Sequence, residues 1–203
     1  MSGVAVVSEE QLTKGKIRLC LHNGEVWVMY SSELRGCDLA EGNELTQEQY
    51  EQIRRDVIGK RAKKRAMHLL EKMDRTEQAL RQKLLEGEYP PDLVEDAIAY
   101  VKRFHYVDDA RYADCYVRLR GASKSRGKLL TELQQKGVDR EVASRVLAEY
   151  EDDRDEPQMI RELMQKRNYD PMTASVQEQR RMYGYLMRRG FQSADICKAI
   201  GRS

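Results

Sequence analysis

Residues 125–138 read SRGKLLTELQQKGV, and this stretch is the best guide to the fold because its pattern recurs elsewhere in the chain. Leu129 and Leu133 are four residues apart, which places both side chains on one face of a helix. Gly137 suits the position just after a helix, where positive φ is common, and the bulky Val138 follows it. The stretch therefore predicts a helix that packs through its leucines and ends at a glycine.

The same pattern occurs twice more, at offsets of 49 and 53 residues, so the chain contains repeats. One copy has the pair Leu80 and Leu84 followed by Gly87, and the other has Met182 and Leu186 followed by Gly190. Each copy also has an amphipathic segment before the pair and another after it. Three amphipathic helices can enclose a small core without a sheet. N-caps are predicted where the third helix of each copy begins, at Asp92, Asp139 and Ser193.

The first fifty residues carry strand signals instead. Asn23-Gly24 lies between two alternating segments and favours a hairpin with a two-residue loop. That register places six side chains on one face: Ile17, Leu19, Leu21, Val26, Val28 and Tyr30. The opposite face would carry Lys16, Arg18, Cys20, Trp27 and Met29. A capping box formed by Thr46 and Gln49 is predicted to start the helical part.

These patterns predict a mainly α-helical protein. Three tandem three-helix repeats would form an elongated, curved array, preceded by a small N-terminal β-hairpin segment. The predicted boundaries are residues 1–58 for the hairpin and a leading helix, 59–105 for the first repeat, 106–153 for the second and 154–203 for the third.

Charge is segregated along the chain, although the net charge of its 203 residues is only +2. Acidic residues concentrate between positions 149 and 156. Segregation of this kind is typical of a surface that meets phosphate or an acidic protein, and it also occurs on solvated helix faces. Three basic clusters are predicted to contact a partner: Lys60, Arg61, Lys63, Lys64 and Arg65; Arg118, Arg120, Lys124, Arg126 and Lys128; and Arg180, Arg181, Arg188 and Arg189.

The second basic cluster has a feature of its own. Ser125 is predicted to cap a helix that begins beside it, which would set Lys124, Arg126 and Lys128 near a helix N-terminus. Backbone amides at such an end already favour anions. The expected ligands are acidic groups of a partner protein, DNA phosphate, or both.

Several function classes find no support in the sequence. The four cysteines are widely separated, the three histidines are scattered, and no nucleotide-binding or catalytic motif occurs. No segment has the length of a transmembrane helix or the form of a signal peptide. We therefore expect a cytoplasmic, monomeric binding protein with no catalytic residues, metal or cofactor.

Two neighbouring stretches resemble the signature of the RecX family of recombination regulators. They are residues 106–118, YVDDARYADCYVR, and residues 125–138. The resemblance covers about residues 60 to 200, and the third copy, with Gly184 inside its middle helix, is the least regular. The residues that carry the signature are Asp108, Asp109, Tyr112, Ala113, Tyr116, Leu133, Lys136 and Gly137.

The resemblance implies a function by binding. RecX proteins bind RecA filaments on single-stranded DNA, lie in the filament groove, and suppress ATP hydrolysis, strand exchange and repressor co-cleavage. The residues themselves leave alternatives open. One is a helical repeat protein that binds single- or double-stranded DNA directly without RecA, and another is a general scaffold.

Two pairs in the signature have structural interpretations. Asp108 and Asp109 would open a helix, as a cap and through the helix dipole. Tyr112 and Tyr116, four residues apart, would lie in the core, and base stacking is the alternative role for them.

Overall fold

The computed structural model describes residues 3–37, 39–150 and 155–201. The chain divides into two compact units, Met1–Asp108 and Asp109–Ser203. The first unit contains a small sheet and one group of three helices, and the second contains two further groups. The prediction of a mainly α-helical chain with three tandem three-helix repeats and a small N-terminal β segment is confirmed.

A four-stranded antiparallel sheet opens the first unit. Its strands are β1 (Val4–Thr13), β2 (Lys16–Leu21), β3 (Val26–Tyr30) and β4 (Glu44–Leu45). They lie in the order β3-β2-β1-β4, and a short helix, α1 (Ser31–Cys37), falls between β3 and β4 in the sequence.

The β2–β3 hairpin forms as predicted, but its register was wrong by one residue. Cys20 pairs with Val26 and Leu19 with Trp27. The loop has three residues, 22–24, because the Gly24 N–H donates to the Leu21 carbonyl and Gly24 adopts φ +82°. A three-residue loop that ends in a left-handed glycine is the next most common hairpin connection after the two-residue loop.

The one-residue slip exchanges the two faces of β3. The predicted register placed Trp27 and Met29 on the face opposite Leu19, but both lie on the same face as Leu19 and have no exposed surface. It placed Tyr30 on the face of Leu19, whereas Tyr30 is 44% exposed. Ile17, Leu19 and Leu21 share one face, as predicted, and that face is buried.

Strand β1 was not predicted from the sequence. Its first half supplies Val4 and Val6 to the core of the sheet, while its second half is polar and mostly exposed. Fewer than half of its residues contribute to the buried face, so the sequence pattern does not indicate a strand. The strand is defined by its pairing with β2 and β4.

A long helical segment leads from the sheet into the first repeat. It begins at the Thr46–Gln49 capping box, as predicted, and continues without a break through a π-helical stretch, Arg54–Gly59. Gly59 therefore does not end the helix. The helices of the first unit that follow α1 are α2 (Gln47–Ile53), α3 (Lys60–Lys72), α4 (Glu77–Leu85) and α5 (Pro91–Arg103).

Helices α3, α4 and α5 enclose the core of the first repeat, where the predicted pair Leu80 and Leu84 is fully buried. Two local predictions were wrong here. The N-cap of α5 is Pro90 instead of Asp92, and the left-handed residue after α4 is Glu88 (φ +58°) instead of Gly87.

The second unit contains two groups of three helices. A 3₁₀ turn, Gly121–Ser123, links the first two helices of the leading group. The helices are α6 (Asp109–Arg120), α7 (Arg126–Gln135), α8 (Arg140–Ala148), α9 (Glu156–Gln165), α10 (Val176–Arg188) and α11 (Ser193–Ile200).

Each group of the second unit has its own hydrophobic core. Leu129 and Leu133 have no exposed surface in one core, and Met182 and Leu186 are buried in the other. Asp139 caps α8 as predicted, whereas α11 begins after Gln192, so Ser193 is its first helical residue and not its cap. The exact domain boundaries given above stay predictions.

Candidate partner-binding surfaces

The first basic cluster lies on α3, and two of its cations are held within the protein. Arg61 donates to Glu33 and to the carbonyl oxygen of Val28, so it ties α3 to the edge of the sheet. Lys60 forms an ion pair with Asp56, one turn earlier, at 3.1 Å. Lysine and arginine side chains paired in this way stabilise the fold, and a partner would have to compete with these internal contacts to bind them.

The other three cations of this cluster form no ion pair with any described residue. Lys63 Nζ lies 5.7 Å from the centre of the Tyr100 ring. Lys64 and Arg65 are exposed, and within the part of the chain that the structure describes no carboxylate lies within 4 Å of either. Lys64 and Arg65 are therefore available for an external anion.

The second basic cluster contains an internal network. Lys124 Nζ contacts the Glu132 carboxylate at 2.5 Å, and the Tyr116 hydroxyl donates to the same carboxylate at 2.7 Å. Partial burial and this hydrogen bond raise the pKa of Tyr116 to about 12. The sequence contains no acid between residues 118 and 128, yet the fold brings Glu132, in the second turn of α7, into contact with Lys124.

Arg118 is also engaged, whereas its neighbour Arg120 is not. Arg118 Nε lies 3.0 Å from Asp114, one turn earlier on α6, and 3.0 Å from the Tyr150 hydroxyl. Arg120 is exposed, and no ion pair joins it to any described residue. Only part of the predicted second cluster is thus an open cationic surface.

The N-terminus of α7 is already filled by the chain itself. Ser125 caps the helix as predicted, because its hydroxyl oxygen accepts from the Lys128 N–H at 3.2 Å. The Glu156 carboxylate accepts from the Arg126 N–H at 2.8 Å. The predicted anion site at these backbone amides is therefore occupied by a side chain from the acidic stretch.

The third basic cluster meets the second at the start of α7. The Ser125 N–H donates to the Arg189 carbonyl at 2.9 Å. Gly190 lies so close that a Cβ atom there would stand 2.6 Å from Ser125 Oγ and 2.6 Å from Lys128 Cβ. The backbone positions of Lys128 and Arg189, 61 residues apart in the sequence, are neighbours in the fold.

The side chains of the third cluster divide into one stacked arginine and three open ones. Arg189 stacks on the Tyr185 ring at 3.7 Å, and Arg167, which was not predicted, stacks on the same ring at 3.9 Å. Arg180, Arg181 and Arg188 are exposed on α10, and no ion pair within the described residues engages them.

The signature residues are mainly structural. Asp108 and Asp109 stand at the start of α6, and Ala113 and Leu133 are completely buried. Gly137 adopts φ +91° after α7. Tyr112 and Tyr116 pack against the core of the second repeat, as predicted, and Lys136 Nζ lies 5.3 Å from the centre of the Tyr116 ring.

Two other kinds of site are absent from residues 3–37, 39–150 and 155–201. No helix there is both long enough and apolar enough to cross a membrane. No group of three or more His, Cys, Asp or Glu side chains there is arranged to hold a metal ion.

Three consecutive three-helix groups that follow a small sheet in the chain, each with exposed cations, define a helical repeat protein. Three family models match it in order: "RecX, first three-helix domain" at residues 62–100, the second at 108–147 and the third at 154–200. The chain belongs to the RecX family.

Relatives and solved structures agree with this assignment. A Regulatory protein RecX of Caldanaerobacter subterraneus subsp. tengcongensis is 30% identical over 163 residues, which cover 80% of each chain. The Regulatory protein RecX of Cronobacter sakazakii is 34% identical over 68% of this chain and 89% of its own. A crystal structure of regulatory protein RecX aligns over 99% of both chains with a TM-score of 0.61 and 23% identity, which supports the fold.

Proposed function

We propose that this chain binds RecA nucleoprotein filaments and lowers their ATPase, strand-exchange and co-protease activities in recombination and DNA repair. It would act in the cytoplasm as a monomer that binds its partner and performs no chemistry. Support for a regulatory role comes from the relatives, which are named Regulatory protein RecX. The filament, the inhibited activities and the contact residues are parts of the proposal.

One observation carries the proposal: each repeat keeps exposed cations that form no ion pair within 4 Å with a described carboxylate. They are Lys64 and Arg65 in the first repeat, Arg120 in the second, and Arg180, Arg181 and Arg188 in the third. A partner that offers acidic groups at intervals, as a polymer of identical subunits does, can meet such a series. Charges of this kind steer association and set register more than they add affinity.

The proposal is tested by RecA ATPase measured on single-stranded DNA with increasing amounts of this protein. The wild-type chain should lower the rate. A triple variant with alanine at Arg180, Arg181 and Arg188 should need about tenfold more protein for the same inhibition, since each lost charge weakens an electrostatic contact. An unchanged ATPase rate at saturating wild-type protein would refute the proposal.

A matched control separates these positions from charge in general. Arg140, Arg145 and Lys198 are exposed cations of the same unit that lie outside the three basic clusters. Their triple alanine variant has the same net charge as the first and should inhibit within about twofold of the wild type. Equal weakening by both triples would show that only overall charge matters.

The alternative function is direct DNA binding without RecA. The same proteins are therefore titrated onto labelled DNA alone at several salt concentrations. Tight, steeply salt-dependent binding to naked DNA, together with no effect on RecA, would favour the alternative. Inhibition of RecA by a protein that binds naked DNA weakly would favour the proposal.

A further inference from the structure

A cavity of about 390 Å³ lies between the sheet and the first repeat. Its walls come from the start of β2, from β3, from α3 and from the end of α4. All of these belong to the first unit. The lining side chains that matter for its chemistry are Lys16, Tyr30, Arg61, Arg65, Lys83 and Tyr89.

The back of the cavity is a fixed cation. The Arg61 guanidinium bonds to Glu33 and to the Val28 carbonyl, and it lies 5.5 Å from the centre of the Tyr30 ring and 5.6 Å from that of Tyr89. Its side chain is 15% exposed. Arg61 is therefore held in place before any ligand arrives, with its charge opposed by one carboxylate.

Two other lining cations have no such counter-charge. Glu86 is the one carboxylate among the residues that line the cavity, and it is paired with Lys83 at 2.6 Å. Lys16 and Arg65 are exposed, and among the described residues no carboxylate lies within 4 Å of either. The lining of the cavity thus has an excess of positive charge, which favours an anion.

An aromatic surface stands beside these cations. Tyr30 is 44% exposed, and Lys16 Nζ lies 5.6 Å from its ring centre. The one-residue slip in the β2–β3 register places Tyr30 here, because the predicted register would have buried it. An exposed ring next to unpaired cations is the combination that binds nucleotides, since phosphate requires positive charge and every base has a π-face.

We propose that this cavity binds one nucleotide, with its phosphate between Lys16 and Arg65 and its base against the Tyr30 ring. Its volume is within the range of small-molecule pockets. Arg61 would supply a fixed positive field behind the phosphate. An acidic protein segment would use the two cations but would gain nothing from the ring. The proposal gives the N-terminal sheet a binding role of its own, and it does not depend on RecA.

The experiment uses the full chain alone and two fluorescent probes, a labelled adenosine monophosphate and a labelled oligothymidylate, followed by anisotropy at low salt. A variant combining Lys16→Ala and Arg65→Ala should weaken binding about tenfold or more, because both phosphate contacts are lost. Tyr30→Ala should weaken it several-fold, and Tyr30→Phe, which keeps the ring, should bind like the wild type.

The control combines Lys14→Ala and Lys72→Ala, two exposed lysines of the same unit outside the cavity. It has the same net charge as the test variant and should retain affinity within about twofold. The emission of buried Trp27 checks that every variant is folded. Equal losses in the test and control variants, or failure of the wild type to bind either probe, would overturn the proposal.

Competition identifies the source of the nucleotide. Displacement of the probe by adenosine monophosphate points to a free nucleotide, and displacement by oligothymidylate alone points to a nucleic acid. Displacement by polyglutamate as effective as that by oligothymidylate would contradict a nucleotide site. RecA inhibition is measured separately, so a wild type that inhibits RecA and binds no probe refutes this inference and leaves the proposed function standing.

Discussion

The N-terminal sheet region (residues 3–37 and 39–59) and helix α10 of the third repeat differ in how their arginines are paired. In the sheet region, Arg18 pairs with Glu10 and Glu88, and Arg54 pairs with Glu25 and Asp92. On α10, Arg180, Arg181 and Arg188 form no ion pair within 4 Å with a described carboxylate. The comparison indicates that basic residues stay available to a partner only where the fold brings no acid close to them.

The pairing in the sheet region is a network and not a set of isolated ion pairs. The Glu25 carboxylate accepts hydrogen bonds from Arg54, the Trp27 indole N–H and the Tyr50 hydroxyl. The Trp27 and Tyr50 rings are stacked, with centroids 5.3 Å apart. Strand, loop and π-helical stretch are thereby joined, and removal of Arg54 leaves the Glu25 carboxylate without its cation.

Trp27→Ala is expected to have the largest effect on stability. The side chain is completely buried, and its loss leaves a cavity, so we expect the free energy of unfolding to fall by about 3–5 kcal/mol. Urea denaturation followed by circular dichroism measures this. Tyr30→Ala is the control on the same strand, and it should cost less than about 1 kcal/mol because Tyr30 is half-exposed. Equal losses would contradict the observed register.

Arg54→Ala should have the second largest effect. Its side chain is only 22% exposed, and its loss leaves the partly buried Glu25 without its cation, so we expect a loss of about 2–3 kcal/mol. Arg55, the next residue, is 75% exposed and lies 3.6 Å from Asp56. Arg55→Ala should therefore change stability by less than about 0.5 kcal/mol, and a comparable loss there would argue against the network.

The same comparison explains what could be predicted from the sequence. The repeats were predictable because each uses a local signal: two apolar residues at helical spacing, then a turn, as in Leu129, Leu133 and Gly137. The signal depends on residues within one helix and its cap. Such a pattern can therefore be recognised without knowledge of contacts between distant residues.

The remaining features depend on contacts between distant residues. The hairpin loop length decided whether Trp27 or Tyr30 is buried, and Asn23-Gly24 is compatible with both loops. Arg61 finds Glu33 from 28 residues away, and the α7 N-terminus is filled by Glu156 from 30 residues away. Which of the predicted cations remain open could therefore not be read from charge spacing alone.

A smaller effect on stability is expected in the second repeat, where Lys124 is paired with a carboxylate and Arg120 is not. Glu132→Gln removes the negative charge that Lys124 and Tyr116 share, and we expect a loss of about 1 kcal/mol at neutral pH. The pKa of Tyr116, about 12 in the wild type, should fall toward its ordinary value of 10. Ultraviolet titration of tyrosinate measures this, with Glu141→Gln as the control on an exposed glutamate.

The pH dependence follows from the sign of that shift. A hydroxyl whose pKa is raised in the folded state contributes its full stability below pH 10 and loses it as the pH rises to about 12. The wild type should therefore lose stability over that interval more steeply than Glu132→Gln. Parallel curves for the two proteins would show that Glu132 does not hold the Tyr116 proton.

Alanine at Arg180, Arg181 and Arg188 should have the smallest effect on stability, less than about 0.5 kcal/mol for each residue, because exposed cations without partners contribute little to the fold. Their contribution should appear only when an acidic partner is present, as a weaker salt dependence of binding. If instead the triple variant unfolds as easily as Arg54→Ala does, these arginines are part of the fold. The third repeat would then not differ from the sheet region, and the distinction between paired and unpaired arginines would not predict which cations bind a partner.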